Sequence, residues 1–163
     1  MCVNAKAAIC CDDTNCSAGQ ACGNRLHDWE ALVLTSNIKG LGVMTTSAIP
    51  KGTVIGEYCG KIIPGDQLTD DHINDGFVLE IHTPTLSGEP AYIDAKPGGS
   101  LCRFVNHSCA PNSVFEERAL GTTRKMVVIT QIQVYPGEEI TVQYSEKVSF
   151  TCLCGEPDCT STS

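Results

Sequence analysis

Hydrophobic and polar positions alternate in short runs through most of this chain. From about residue 29 to 147 the runs are ALVLTS (31–36), GVMTTS (42–47), TVIGEYCG (53–60), FVLEIH (77–82), PAYIDA (90–95), KMVVITQI (125–132) and EITVQY (139–144). They are rich in β-branched and aromatic residues, and turn chemistry such as IPKG (49–52), KPGG (96–99) and YPGEE (135–139) separates them. That pattern predicts a mostly β domain of many short strands. One segment, PGDQLTDDHIND (64–75), carries helix signals: Pro64 to Asp66 opens a turn or two and Gly76 stops it. Residues 1 to about 25 show little periodicity and few core positions, so a bound metal would have to order them. The terminal TSTS (160–163) is expected to fray.

Length and charge narrow the classes. A chain of 163 residues suits one domain with a real core. No run approaches the length of a membrane-spanning helix, and the first residues have no basic region, so a soluble chain without an export or other targeting signal is expected. The formal charge of −8 disfavours a domain that grips phosphate backbones and favours a basic partner such as a Lys-rich peptide. Nothing in the sequence indicates an oligomer, a membrane partner or sequence-specific nucleic-acid binding.

The 11 cysteines change the picture more than the charge does. Most fall in two terminal groups, Cys2, Cys10, Cys11, Cys16 and Cys22, then Cys152, Cys154 and Cys159. Close Cys-x-Cys and Cys-x4-Cys spacings suit tetrahedral thiolate coordination of Zn²⁺ better than they suit disulfides, which need a set separation of the two Cα atoms. The C-terminal group offers three thiolates where a structural zinc takes four ligands, and Cys109 is the obvious fourth. Cys59 and Cys102 sit in apolar stretches and read as buried small hydrophobes.

The densest chemistry lies in RFVNHSCAPN (103–112), which admits a Cys/His nucleophile pair, a metal site or a polar ligand pocket. For the first, His107 and Cys109 would have to face each other, which two residues so close on an extended segment need not do; no oxyanion-hole signature accompanies them. Gly40 and Gly42 lie just before a strand with no βαβ unit behind them, so they are turn formers that also let a ligand approach the backbone. Tyr58 and Tyr144 are equally read as half-buried strand aromatics.

Taken in chain order, Gly40-Leu41-Gly42, GEYCG (56–60), RFVNHSCAPN, GEEITVQY (137–144) and CLCGEPDC (152–159) resemble the SET-domain protein lysine methyltransferases over essentially the whole chain. The resemblance implies a β-clip fold of small curved sheets with a C-terminal pseudoknot, flanked by zinc-binding loop segments. It implies a zinc-binding AWS-like segment at 1–25, a SET domain at 26–147 and a post-SET segment at 148–163. It implies cofactor contacts for S-adenosylmethionine from Lys39, Gly40, Leu41, Gly42, Arg103, Phe104, Asn106, His107, Tyr144 and Leu153. Tyr144 matches the catalytic tyrosine and Tyr58 a tyrosine of the lysine channel. Cys109, Cys152, Cys154 and Cys159 match one zinc site. Cys2, Cys11, Cys16 and Cys22 match another, with Cys10 as an alternative to Cys2, giving about two Zn²⁺ per chain.

The implied activity is methyl transfer to a protein lysine, with a histone H3 tail or nucleosome as substrate and the tail lysine nearest the nucleosome core favoured. A nuclear, chromatin location follows from the same resemblance. A catalytically weak histone-binding or scaffold module is the alternative. Val142, two before Tyr144 where many members carry Phe or Tyr, leaves the number of methyl groups open.

Overall fold

Strand pairing resolves the alternating pattern into three small sheets. The computed structural model describes residues 2–26, 29–83, 85–145 and 150–159. The expected fraying of 160–163 and the expected boundary at 147 and 148 therefore lie outside the described residues. The strands are β1 (Leu32–Asn37), β2 (Gly40–Thr45), β3 (Val54–Glu57), β4 (Lys61–Pro64), β5 (Val78–Ile81), β6 (Ala91–Asp94), β7 (Asn106–His107), β8 (Ser113–Leu120), β9 (Thr123–Thr130) and β10 (Glu139–Val142). The sheet orders are β1-β2-β10-β7, β3-β9-β8 and β4-β6-β5. The mostly β expectation holds.

β9 shows why such short strands suffice. Side chains alternate across a strand, so Met126 and Val128 enter the main core while Val127 and Ile129 enter a second one. The main core joins them to Val43, Ile49, Ile55, Val105, Ile140 and Val142; the second holds Cys10 and Val54. Being buried on both faces, β9 reads as a continuous apolar run. Truncating Val128 or Ile140 to alanine should cost about 2–4 kcal/mol.

Two strands escape the sequence pattern. β8 carries Glu116, Glu117 and Arg118 in succession, yet pairs with β9 along its whole length from Ser113↔Thr130 to Leu120↔Thr123. β4 ends on Pro64, which an edge strand tolerates because its N–H side needs no partner. The helix expectation is corrected in its start. Residues 64–66 stay in β4 and a 3₁₀ turn (Gly65–Gln67), and α2 spans only Asp70–Asn74. Thr69 sets that start: it exchanges capping bonds with His72, and Gly76, at φ 73°, follows the helix as expected. A further short helix, α1 (Val3–Lys6), lies in the segment read as loop.

The N-terminal segment joins the β8 edge. Cys10 N–H donates to Ala119 O at 2.8 Å and Ala119 N–H to Ala8 O at 2.9 Å. Among the described residues no helix is long and apolar enough to cross a membrane.

Candidate active site

The position of β10 assembles the site. It pairs antiparallel with β2 (Ile140↔Val43) and parallel with β7 (Thr141↔Asn106, Val142↔His107). Segments that are distant in sequence therefore meet across three adjacent strands: the Gly40–Gly42 turn, the Asn-His pair, and Tyr144 just past β10. The turn into β2 is set locally, since Asn37 Oδ1 accepts the Lys39 N–H at 2.8 Å and Gly40 takes φ 94°, which glycine adopts without steric cost. Asn106 Nδ2 donates to Leu41 O at 3.0 Å and closes the gap between β7 and β2.

Two adjoining hollows open beside these strands. One, of about 220 Å³, is lined by Lys39, Asn106, His107, Tyr144, Phe150 and Leu153, with Thr151 and Cys152. The other, of about 280 Å³, shares Lys39, Asn106 and Tyr144 and adds Leu41, Gly76, Phe77, Arg103 and Phe104. Eight of the ten expected cofactor residues thus line one crevice. Gly40 and Gly42 stand behind it, and Gly42 has a reason of its own: a Cβ there would overlap the Glu139 carboxylate and lie 2.8 Å from Asn106 Nδ2.

Tyr144 is held by both ends. Its hydroxyl donates to Val105 O at 2.7 Å, and its backbone N–H donates to His107 Nδ1 at 3.1 Å. Burial, then the Glu139 carboxylate, pushes its phenol up to about 12. His107 is buried, and burial followed by the Lys39 ammonium holds its imidazole below the usual range. The ring therefore stays neutral and accepts at Nδ1. Phe150 packs edge-on against both rings, at centroid distances of 5.8 Å from His107 and 6.3 Å from Tyr144.

Tyr58 is almost fully buried and lines neither hollow. Its hydroxyl donates to Phe77 O at 2.7 Å and its ring meets Phe115 edge-on at 5.1 Å. Burial, then Tyr144 and Asp94, raises its phenol well above the usual value. It faces a separate groove of about 420 Å³ with Cys59, Ile62, Ile81, Ile93 and Met126. Arg103 lies over the Phe77 and Phe104 rings at 5.2 and 4.9 Å and donates to Lys96 O at 2.7 Å. Its Nε is buried without a partner among the described residues. An unmet buried donor costs about 1–3 kcal/mol.

Sequence reasoning missed Phe77, Phe150 and Glu139. Phe150 lies two residues before the Cys-x-Cys pair, and Phe77 follows the helix-stopping Gly76, but neither position carries a distinguishing pattern. Val142 is fully buried in the main core.

The cysteines form two quartets, Cys2, Cys11, Cys16 and Cys22, and Cys109, Cys152, Cys154 and Cys159, each with its sulfurs within 4.8 Å of one another. Cys109 Sγ lies 3.9 Å from Cys152 Sγ and 3.8 Å from Cys159 Sγ. Tetrahedral zinc with bonds of about 2.3 Å to sulfur sets its ligands roughly 3.8 Å apart, so the donor sets fit the ion. Cys10 points into the second core, and the structure brings Cys2 into the first quartet instead. No disulfide joins any of the cysteines, which are all among the described residues. Burial opposes ionisation of Cys154, but the backbone N–H groups of Cys109 and Glu156 outweigh it and bring the thiol down to about 6. His107 Nε2 and Cys109 Sγ, which need not face each other on an extended segment, do so at 3.6 Å because the chain turns directly after β7. The thiol belongs to the metal-capable quartet and is not set up as a nucleophile.

Comparison with known proteins agrees with this geometry. The SET domain model matches residues 40–145, a span holding the whole crevice except its C-terminal cap and Lys39. The chain is 33% identical over 99% of its length to "Histone-lysine N-methyltransferase, H3 lysine-36 specific" from Cryptococcus neoformans var. neoformans serotype D, covering 20% of that protein. It is 31% identical over 97% of its length to the protein of the same name from Schizosaccharomyces pombe, covering 21% of it. It is also 31% identical over 97% of its length to "Histone-lysine N-methyltransferase ash1" from Drosophila melanogaster, covering 8% of it. The chain spans about a fifth or less of the length of these relatives. It belongs to the SET-domain family, and its small β-sheets are the SET fold.

Proposed function

We propose that this chain is the catalytic region of an S-adenosylmethionine-dependent lysine methyltransferase acting on a histone, with histone H3 and its lysine 36 favoured. The observation that carries the reading is one crevice in which Asn106, His107, Tyr144 and the β2 turn meet, walled by the Cys109–Cys159 quartet. The crevice suits the cofactor chemically, with aromatic side chains from Tyr144 and Phe150 in one hollow and Phe77, Phe104 and Arg103 in the other. When bound, S-adenosylmethionine supplies an electrophilic sulfonium methyl. The two quartets each hold one structural Zn²⁺, residues 1–25, 26–147 and 148–163 serve as AWS-like, SET and post-SET segments, and the protein works on chromatin in the nucleus.

The residues divide the work without a general base. A lysine amine has an unperturbed pKa of about 10.4 and must lose its proton before attack. Tyr144 and Tyr58 are both phenols with raised pKa, and the Nδ1 of His107 is occupied by the Tyr144 N–H. Proton loss is therefore left to desolvation beside aromatic walls and to repulsion from a neighbouring cation. With its proton committed to Val105 O, the Tyr144 oxygen presents lone pairs toward a reacting amine or methyl and orients it. The net charge of −8 suits a basic tail as substrate.

The test is methyl transfer to nucleosomes and separate core histones, read by mass spectrometry, with Tyr144→Phe alongside. The expected outcome is label on one H3 lysine and a kcat about 100-fold lower in the variant with cofactor affinity retained. Cofactor binding without transfer to any lysine would favour a histone-binding module instead.

A further inference from the structure

Glu139 belongs to the GEEITVQY motif without a role assigned to it there, and it lies where the β1–β2 turn, β7 and β10 meet. Its Oε1 accepts from Asn106 Nδ2 at 2.7 Å and from Asn37 Nδ2 at 3.2 Å, and its Oε2 accepts from Lys39 Nζ at 2.5 Å. One carboxylate thus ties the end of β1, the β1–β2 turn and β7 to β10. Its side chain is about four-fifths buried, as is that of Lys39. Burial opposes its ionisation, but the bonds from Lys39 and Asn106 outweigh it and hold the carboxyl below its usual range. It stays charged near neutral pH.

Two consequences follow from the geometry. Both N–H groups of the Asn106 amide are engaged, one on Leu41 O and one on Glu139, so the amide cannot flip and its Oδ1 is left as the atom for a ligand. The second concerns charge. Lys39 lines both hollows, and its ammonium would repel a cationic ligand there if Glu139 did not neutralise it. The absence of a side chain at Gly42 is what leaves room for this arrangement, since a Cβ would displace the carboxylate.

We propose that Glu139 is a positioning residue for a cationic cofactor: it fixes the Asn106 amide and cancels the Lys39 charge, so that the crevice prefers a sulfonium to its neutral thioether product. The inference rests on the functional reading above and deepens it. Substrate binding and product release are then distinguished by charge as well as by shape.

The test is calorimetric titration of the folded protein and its variants with S-adenosylmethionine and, separately, with the thioether S-adenosylhomocysteine. Glu139→Gln should weaken the sulfonium ligand about tenfold and the thioether less than about threefold, as expected for one uncompensated charge nearby. Adding Lys39→Met to Glu139→Gln should restore the wild-type ratio of the two affinities. Glu139→Asp keeps the charge but shortens the reach, so it should weaken both ligands while leaving their ratio unchanged; it also serves if Glu139→Gln does not fold. Equal loss of both ligands in Glu139→Gln, or no loss of either, overturns the proposal. Failure of the wild-type protein to bind either ligand overturns the cofactor assignment and this proposal with it.

Discussion

The two cysteine quartets have the same ligands and different neighbours. All four members of the first come from residues 2–22, and the broad hollow that Cys2 and Cys22 line with Trp29, Glu116 and Arg118 shares no residue with the crevice. Cys11 Sγ accepts N–H groups from Asn4 at 3.4 Å and from Asn24 at 3.2 Å, and the adjacent Cys10 is buried between β3 and β9. The second quartet takes Cys109 from the β7 loop and the rest from residues 152–159, and Cys152 and Leu153 line the crevice. Ser108 Oγ also reaches Glu156 Oε1 across it, at 3.3 Å. Where a metal's ligands come from predicts what it does: a local loop site fastens a segment to the core, while a site that spans the fold completes a pocket.

Removing one ligand from each site should separate these roles. The largest effect is expected for Cys154→Ser. Cys154 does not line either hollow, so a loss there acts through the cap, and affinity for S-adenosylmethionine should fall at least roughly 100-fold by calorimetry while the β-rich circular dichroism signal persists. Unchanged affinity would put the second quartet in the same class as the first. Cys11→Ser should do the reverse, costing about 3 kcal/mol in denaturant unfolding and changing cofactor affinity less than about twofold. A large affinity loss in that variant would erase the contrast. The smallest effect is expected for Asn24→Ala. Buried Asn24 donates to Ile9 O at 2.8 Å as well as to Cys11 and accepts from Arg118, so its removal should lower stability by about 1–3 kcal/mol in unfolding experiments. Chelator resistance of the first site should fall with it, and that of the second should not.

Elements whose signal is local were readable from the chain. β9 holds the apolar run 126–129, β10 alternates polar and apolar residues as EITV, and Gly76 marks the end of α2 whatever surrounds it. Cys109 was readable by arithmetic, because three clustered thiolates imply a fourth. β8 was not, because Glu116, Glu117 and Arg118 interrupt any alternation, and while Glu116 pairs with Arg118 itself, the other two are also satisfied by distant groups. Arg118 bonds Asn24, and Glu117 accepts from the backbone of His82 and Thr83. Glu139 was hidden for the same reason: in GEE it looks like turn polarity, and its partners Asn106 and Lys39 lie 33 and 100 residues away. The crevice residues were recognised as a set through family motifs, while the contacts that hold them depend on three-dimensional pairing.

The central place of β10 also bears on the order in which the molecule is made. β2 and β7 leave the ribosome well before the strand that lies between them, and the last wall of the crevice, residues 150–154, follows later still. Until then the facing edges of β2 and β7 have no partner, and their pairing groups are open to other chains. Closing contacts that span up to 100 residues is intrinsically slow. The crevice is thus closed only once β10 and the segment after it have been made, and a nascent chain stalled before Glu139 would present unpaired strand edges to chaperones.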